Sequence, residues 1–473
     1  MKIIISISLA FVVLFTMQAY SQLPEDALRL STPNLGIGAR SLGMGTAYTG
    51  IASDFSAMYT NPAGLGQIRL NEFSFGLSNL SYNNSADYLS NNTSFSNSAT
   101  DINNVGLVYP FPVSKGSLVL AVGYGRNADY TTALSYKGFN PTNTMISWLP
   151  DVQMAYNLYL TDTLGRKPNG SIYTPYVDSL QQDGKVLEGG GTNNWTVAGA
   201  VEAANNLYLG LALNFISGSY TYSQNYNETD TQNKYSVARY GDQQAFSGFN
   251  IQNTINDDVG GFSARFGFLY KINPKARVGF SVKTPTWYSI NETYSSDGTS
   301  TFRVPDTTGN NSYNDRTDNK IQYDVTTPFV FSGGFAYSLG DLLLSLDADY
   351  TDWTQMSFSN GDPSLDLTNT DIKSIFRSTT NLRLGGEYEF PGTGFRIRGG
   401  YAYLPSPYQS DINGADQKYV TAGVGFIVEN AVSIDIGYAR GTWNTSHIAY
   451  DNAPVTSEKI TTNSILATIL YRY

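Results

Sequence analysis

The sequence predicts an all-β protein, a transmembrane antiparallel β-barrel of about fourteen strands with an N-terminal plug. Charged residues make up only 14% of the 473 residues, yet hydrophobic residues reach only 41%. After Phe73 apolar and polar residues alternate through most of the chain, and short connections alternate with long polar ones. A soluble multidomain protein fits this combination poorly. A barrel needs apolar residues on only one face of each strand, which gives modest overall hydropathy.

The predicted strands are segments of about ten residues, the length that a tilted strand needs to cross a bilayer. Apolar side chains occupy alternate positions within them, as expected for strands with one face toward lipid. The clearest segments are 73–77, 118–124, 207–215, 262–270, 342–350, 382–390, 395–403, 432–438 and 465–473.

The connections predict which strand ends lie together. Short turns are expected near 111–116, 202–206, 271–275, 338–341, 390–394 and 429–431. Between them come long polar stretches, which we expect to be extracellular loops: 82–101, 128–193, 221–257, 291–320, 351–378, 405–417 and 441–461. Strict alternation of this kind gives an even number of strands, with the short turns on the periplasmic side. A soluble β-sandwich is the alternative, but it has no reason to collect its long connections at one end.

Residues 1–21 are expected to be a signal peptide. Lys2 precedes an apolar run, and the small residues Ala19 and Ser21 suit cleavage before Gln22. An uncleaved anchor is the alternative, but it needs roughly 18 apolar residues and this run is shorter.

The stretch 34–66 differs from everything after it. It is rich in glycine, lacks two-residue alternation and ends on Asn61-Pro62-Ala63-Gly64, where proline favours a turn. We therefore expect residues 22–70 to form a compact plug and residues 71–473 to form the barrel with long extracellular loops. Gly36-Ile37-Gly38 resembles part of a dinucleotide-binding loop, but the last glycine and a preceding strand are missing.

The composition argues against most chemistry. The chain has no cysteine, one histidine (His447) and a formal charge of −10. These features leave little basis for thiol or histidine catalysis, for common zinc sites or for binding nucleic acid. The sequence therefore predicts no enzyme, no catalytic residue, no metal and no cofactor.

Several charged residues share the inward face of predicted strands. They are Asp347 and Asp349, Glu387 and Glu389, Arg396 and Arg398, and Arg383. Paired carboxylates can act as acid and base, but opposite charges that brace a barrel and hold its plug are the better interpretation. Arg40 in the plug is a natural partner for Asp347 or Asp349, and we expect one of these pairs.

Three stretches resemble the FadL/TodX family of outer-membrane transporters for hydrophobic compounds. The first runs from Ser41-Leu42-Gly43-Met44-Gly45 to Asn61-Pro62-Ala63-Gly64 and is similar to the family's hatch. The second is Ser345-Leu346-Asp347-Ala348-Asp349-Tyr350-Thr351-Asp352-Trp353, and the third is Leu382-Arg383-Leu384-Gly385-Gly386-Glu387-Tyr388. The resemblance implies a fourteen-stranded barrel with a hatch in its lumen.

The resemblance also implies a function, namely passive uptake of long-chain fatty acids or related molecules. Cargo would bind in an apolar lumen pocket and leave through the hatch or sideways through a kinked third strand. Gly123 and Gly125 are the candidate kink, since glycine weakens strands. Candidate pocket residues in the hatch, which could equally be ordinary packing, are Leu28, Leu30, Leu35, Ile37, Met44, Phe55 and Met58.

The expected partners are a hydrophobic small molecule and the lipid of the outer membrane around a monomer. The competing function is a related barrel that binds other proteins through its polar loops, as a secretion or surface-assembly partner. Copurified protein partners without bound lipid would favour that alternative.

Overall fold

The computed structural model describes residues 22–236, 245–429 and 431–473. The predicted signal peptide, residues 1–21, lies outside the described residues. The α-helices are α1 (Pro24–Ser31), α2 (Ala39–Gly43), α3 (Ala57–Thr60), α4 (Val152–Asn157) and α5 (Leu365–Ile375), and the 3₁₀ helices are Pro62–Gln67, Met145–Trp148 and Trp353–Gln355. Within the described ranges, no helix combines the length and apolar character of a transmembrane helix.

The strands follow one another around a single antiparallel sheet that closes on itself through β1 and β18. They are β1 (Glu72–Tyr88), β2 (Asn91–Phe111), β3 (Leu118–Asp129), β4 (Thr132–Asn140), β5 (Leu180–Ala204), β6 (Leu207–Thr229), β7 (Phe246–Lys271), β8 (Ala276–Lys283), β9 (Trp287–Phe302), β10 (Ser312–Thr326), β11 (Val330–Leu339), β12 (Leu342–Asp352), β13 (Ser357–Ser359), β14 (Ser378–Glu389), β15 (Phe395–Leu404), β16 (Gln417–Val428), β17 (Val432–His447) and β18 (Thr456–Arg472).

Fourteen strands make the wall, as the alternating connections predict. The three-residue β13 follows β12 and only pairs with the end of β10. Three wall strands are interrupted: β3 continues as β4, β8 as β9, and β10 as β11. Pro285 and Pro328 lie at two of these interruptions. Proline has no backbone N–H for the ladder, so a break is expected there. The third interruption, at Tyr130–Thr131, has no proline.

Exposed apolar side chains mark the part of the wall that faces lipid. On β6 the outward residues Leu209, Leu211 and Phe215 are exposed, and the next outward residues are Ser217 and Ser219. Nine residues of a tilted strand rise about 25 Å, the height of an outer-membrane apolar band. We call this height the membrane band, and the strands continue far above it.

The expectation that the long polar stretches are loops is largely wrong. Residues 82–101 belong to β1 and β2, which close on a two-residue turn at Leu89–Ser90 with φ of 47° and 66°. Much of 221–257 and 291–320 is also strand. Above the membrane band the outer face of the wall is polar, so the ladder continues without the outward apolar residues that mark the lipid-facing part.

Two connections carry helices of their own. The connection 141–179 holds Met145–Trp148 and α4, whose N-cap Asp151 accepts a hydrogen bond from Met154 N at 3.0 Å. The connection 353–377 holds α5, and Thr368 Oγ1 on that helix donates to Gln22 O at 3.2 Å. This second connection therefore contacts the chain ahead of α1.

The residues before β1 lie within the ring of strands. This N-terminal segment (22–71) is mostly buried and contacts strands on several sides. A Cβ at Gly43 would lie 3.1 Å from Gly423 Cα on β16, and one at Gly50 would lie 3.0 Å from Gly334 C on β11. The contacts are therefore backbone against backbone, which requires glycine on both sides.

Candidate functional site

Asn61 fixes the end of the N-terminal segment against the wall. Its Nδ2 donates to Thr49 O at 2.9 Å and to Phe268 O at 3.0 Å, and its Oδ1 accepts from Ala63 N at 3.2 Å. Pro62 then begins the 3₁₀ helix Pro62–Gln67 without losing a donor that the helix needs. The wall opposite is glycine, since a Cβ at Gly267 would lie 2.7 Å from Ala63 N.

The other glycines of the predicted hatch motif also serve close packing. Gly45 has φ of 63°, and a Cβ there would lie 2.7 Å from Leu384 O. A Cβ at Gly64 would lie 2.8 Å from Ala52 C. Side chains at these positions would push the N-terminal segment away from the strands or from itself.

The bracing partner predicted for Arg40 is wrong. Arg40 pairs with Glu387, Nε to Oε2 at 2.9 Å and Nη2 to Oε1 at 2.7 Å, and neither Asp347 nor Asp349 contacts it. Asp347 Oδ2 accepts from Thr49 N at 2.6 Å. The alternation along β12 and β14 predicts which carboxylates face the lumen. Which of them pairs with Arg40 depends instead on the height at which α2 lies in the lumen.

The remaining bracing residues pair within the wall. Arg383 pairs with Asp349, and Arg396 pairs with Glu389 at 2.6 Å. Arg398 bridges Glu387 and Asp435, each at 2.6 Å. Glu387 is therefore shared between the wall and the N-terminal segment.

The seven predicted pocket residues do not come together. Leu28 and Leu30 join one buried cluster, Leu35 a second and Met44 a third. Ile37, Phe55 and Met58 lie in a fourth cluster against β3, β5 and β6. Of the seven, only Leu28 and Leu30 belong to the large buried cluster around α1.

A large cluster of buried apolar and aromatic residues surrounds α1 in the upper lumen. We call it the aromatic cluster; its members include Ala27, Leu30, Ala128, Tyr130, Ile216, Tyr220, Val259, Tyr288, Ile290, Tyr323, Val325, Trp353, Phe358, Ile372 and Phe376. Sequence reasoning did not find it, because each strand contributes only one or two inward residues above the membrane band.

The wall has a ladder gap beside this cluster. The β2–β3 ladder runs from Phe111–Leu118 only to Asn104–Gly125, although β2 continues to Asn91. The register of β3 on β5 shifts between Arg126 and Ala128, and β3 ends at Asp129. The β2–β3 ladder therefore stops at Gly125, one of the two predicted glycines, whereas β3 itself is interrupted several residues later.

Gly123 and Gly125 have a visible packing role. A Cβ at Gly125 would lie 2.8 Å from Ile37 Cδ1 and from Tyr59 Cζ, and one at Gly123 would lie 3.1 Å from Met58 Sδ. These glycines let the N-terminal segment approach the wall just below the ladder gap.

The N-terminal segment also spans the ladder gap from inside. Asn34 N donates to Asn127 O at 2.8 Å, and Asn34 Oδ1 accepts from Asp129 N at 2.9 Å. On the other edge, Gly38 N donates to Asn103 Oδ1 at 3.1 Å. Residues 34–38 thus supply hydrogen bonds that β2 and β3 do not make with each other, and we call them the clasp.

A cavity of about 360 Å³ lies among the extracellular connections. It is lined by Met145, Trp148, Leu149, Pro150, Asp151, Met154, Gln224, Ile251, Asn253, Tyr294, Ser296, Thr317, Ile448, Ala449, Tyr450 and Asp451. Beside it, Glu228 Oε1 accepts from Met145 N and from Gln182 Nε2, each at 2.7 Å. Burial raises the pKa of Glu228, which lies far above the membrane band, to about 7.

The closed wall, the lipid-facing band and the occupied lumen define the class of β-barrel transport proteins of the Gram-negative outer membrane. The model of the family described as outer membrane protein transport protein (OMPP1/FadL/TodX) matches residues 191–472. The chain belongs to this family of transporters for hydrophobic compounds, whose members are channels and not enzymes.

Solved structures share the fold at low identity. The Pseudomonas putida toluene transporter TodX is 12% identical over 93% of this chain and 99% of that chain, with a TM-score of 0.56. A Pseudomonas aeruginosa FadL homologue is 15% identical over 92% and 98%, also with 0.56. The monoaromatic hydrocarbon channel CymD is 15% identical over 93% and 99%, with 0.50. No curated protein matches.

Proposed function

We propose that this protein carries hydrophobic compounds passively across the outer membrane and releases them sideways through the ladder gap between β2 and β3. The observation that supports this proposal is the position of the gap. Ala128 and Tyr130 belong to the aromatic cluster and directly follow the end of the β2–β3 ladder. An apolar molecule held in the cluster would thus lie next to the interrupted wall.

The proposed route has three steps. Cargo first binds from water in the cavity among the extracellular connections, which we call the external cavity. The aromatic cluster then holds it in the upper lumen, and the ladder gap releases it into the membrane. The N-terminal segment, which we propose acts as the hatch, closes the straight route to the periplasm. Because this segment packs backbone against backbone on the wall, we propose that cargo leaves through the side of the barrel and not down the lumen.

Apolar burial is sufficient to drive binding. Each buried methylene contributes about 0.8 kcal/mol, so a sixteen-carbon chain gains roughly 10 kcal/mol. The tail of a long-chain fatty acid and a hydrocarbon of equal length gain alike. Any preference between them therefore has to come from the head group.

Release requires the clasp to open. Three hydrogen bonds hold it, two at Asn34 and one at Gly38. Each contributes about 1 kcal/mol net, so opening costs little beside the binding free energy. The clasp is therefore the element we expect to move.

A disulfide can test this, because the chain has no cysteine of its own. Asn34→Cys with Asn127→Cys joins the clasp to β3 where the two backbones already lie within hydrogen-bond distance. Cells without their own copy would express this variant, and their uptake of labelled toluene, tetradecan-1-ol and tetradecanoate would be measured. We expect oxidation to lower uptake at least tenfold and reduction to restore it.

The matched control is Ala336→Cys with Ser345→Cys, which joins register partners of β11 and β12. This disulfide should leave uptake unchanged. Transport at the wild-type rate by the oxidised Asn34–Asn127 variant would reject the proposal that the clasp opens during release. If the wild-type protein takes up none of the compounds above the level of the empty vector, the transport function itself is rejected.

A further inference from the structure

The upper lumen carries an excess of carboxylates around a single cation. Arg29 on α1 lies 2.8 Å from Asp26 and 3.8 Å from Asp257, and its guanidinium stacks 3.6 Å over the Tyr220 ring. Glu188 faces the same guanidinium from β5. Arg29 is thus already surrounded by acceptors.

A further carboxylate, Glu292, lies next to Asp257 on the adjacent strand. Glu292 Oε2 on β9 accepts from the Tyr323 hydroxyl at 3.1 Å. In register, Glu292 is the direct cross-strand partner of Asp257 on β7. Burial and the neighbouring carboxylates raise the pKa of Asp257 and of Glu292, each to about 7, and both lie above the membrane band.

The ladder gap shows the same excess of carboxylates over cations. Arg126 beside the gap lies 3.4 Å from Asp101 on β2 and 3.7 Å from Asp129 on β3. Around α1 and the gap, each of the two arginines therefore has carboxylate partners, and the carboxylates outnumber them. An anionic head group would meet a net negative charge here, because the carboxylates outnumber the two arginines with which they pair.

One of these carboxylates has an unsatisfied hydrogen-bond acceptor. Asp257 is 4% exposed, and within the described part of the chain its Oδ1 has no hydrogen-bond partner. A buried acceptor of this kind is costly unless something donates to it. It faces the aromatic cluster, where an uncharged molecule with a hydroxyl group would supply the missing donor.

We infer that the lumen selects uncharged hydroxyl-bearing hydrophobic molecules, such as long-chain alcohols and phenols, over carboxylates of the same chain. This inference rests on the proposed transport function and deepens it by naming the cargo class. Asp257 Oδ1 accepts the cargo hydroxyl, the aromatic cluster buries its tail, and Asp26, Glu188 and Glu292 repel an ionised acid.

Equal-length probes separate the head group from the tail. Purified protein in lipid nanodiscs would be titrated at pH 8.5 with tetradecan-1-ol and with tetradecanoate. We expect the alcohol to bind at least tenfold more tightly. Equal affinity, or tighter binding of the acid, would overturn the inference without any variant being needed.

A charge-removing variant locates the selection. Asp257→Asn with Glu292→Gln should reduce the preference for the alcohol to less than threefold, because Arg29 is then freer to receive the acid. Asp162→Asn with Asp341→Asn removes the same charge from exposed positions and should keep the wild-type ratio. An unchanged ratio in the first variant would contradict the assignment to Asp257 and Glu292.

The two proposals fail in different ways. If cells take up neither probe above empty vector, transport fails while the nanodisc ratio still measures selection. If cells take up both probes equally, transport stands and the selection is wrong.

Discussion

At the scale of single residues, Glu387 ties the N-terminal segment to the wall. Its carboxylate accepts from Arg40 of the segment and from Arg398 of β15, and it is 5% exposed. The sequence placed Glu387, Asp347 and Asp349 on inward faces correctly. It did not place Arg40 beside Glu387, because alternation along a strand carries no information about which height a separate segment reaches.

Replacing Arg40 with alanine should destabilise the protein by about 3 kcal/mol, since it leaves a buried carboxylate without one of its two cations. Thermal unfolding in detergent micelles would measure the loss. Arg396→Ala is the control, because its partner Glu389 is half exposed and such pairs contribute about 1 kcal/mol or less. Equal losses for the two variants would argue against the shared role of Glu387.

At the scale of elements, strands were predictable only where lipid requires alternation. Within the membrane band, segments such as 207–215 and 262–270 were recognisable, and their count gave fourteen wall strands. Above the band the same strands continue with a polar outer face, and the sequence suggested loops instead. The aromatic cluster was missed for the same reason, since it draws on many strands at heights that one sequence does not relate.

The connection 141–179, which lines part of the external cavity, should respond to pH through Glu228. Its pKa is about 7 in the folded protein against an ordinary value of 4.5, because burial disfavours the charged form. Its stabilising contribution is therefore fully present below pH 4.5 and is lost as pH rises through 7. The difference is about 3 kcal/mol.

Hydrogen exchange of the amides of Met145–Trp148, corrected for intrinsic rates, would show this as protection that decreases from pH 5.5 to pH 8.5. Glu228→Gln should abolish the pH dependence, because the amide keeps an acceptor for Met145 N and has no charge. Asp162→Asn, exposed in the same connection, should behave like the wild type. A slope that survives Glu228→Gln would exclude this carboxylate as its source.

At the scale of the whole molecule, the N-terminal segment and the wall are two surfaces that meet through glycine. Gly400 and Gly399 are neighbours on β15 with opposite surroundings. A Cβ at Gly400 would lie 2.5 Å from Met44 C, whereas one at Gly399 would have only Thr421 O within 4.0 Å. The first glycine faces the segment and the second faces outward.

Gly400→Val should therefore unseat the N-terminal segment and make cells more sensitive to a bulky polar antibiotic such as vancomycin, at least fourfold in the inhibitory concentration. Gly399→Val places the same side chain toward lipid and should change nothing. Heat-modifiable migration of both barrels would confirm equal assembly. Equal sensitivity of the two strains would show that this contact does not seal the lumen.

The height of the strands has a consequence for where cargo is first met. β7 has 26 residues, so it rises roughly 65 Å, more than twice the apolar band of about 25 Å. Ile251 and Asn253, which line the external cavity, lie near its far end. The mouth of the protein therefore stands well away from the apolar band, and a sparingly soluble molecule is first met in water at a distance from the lipid surface.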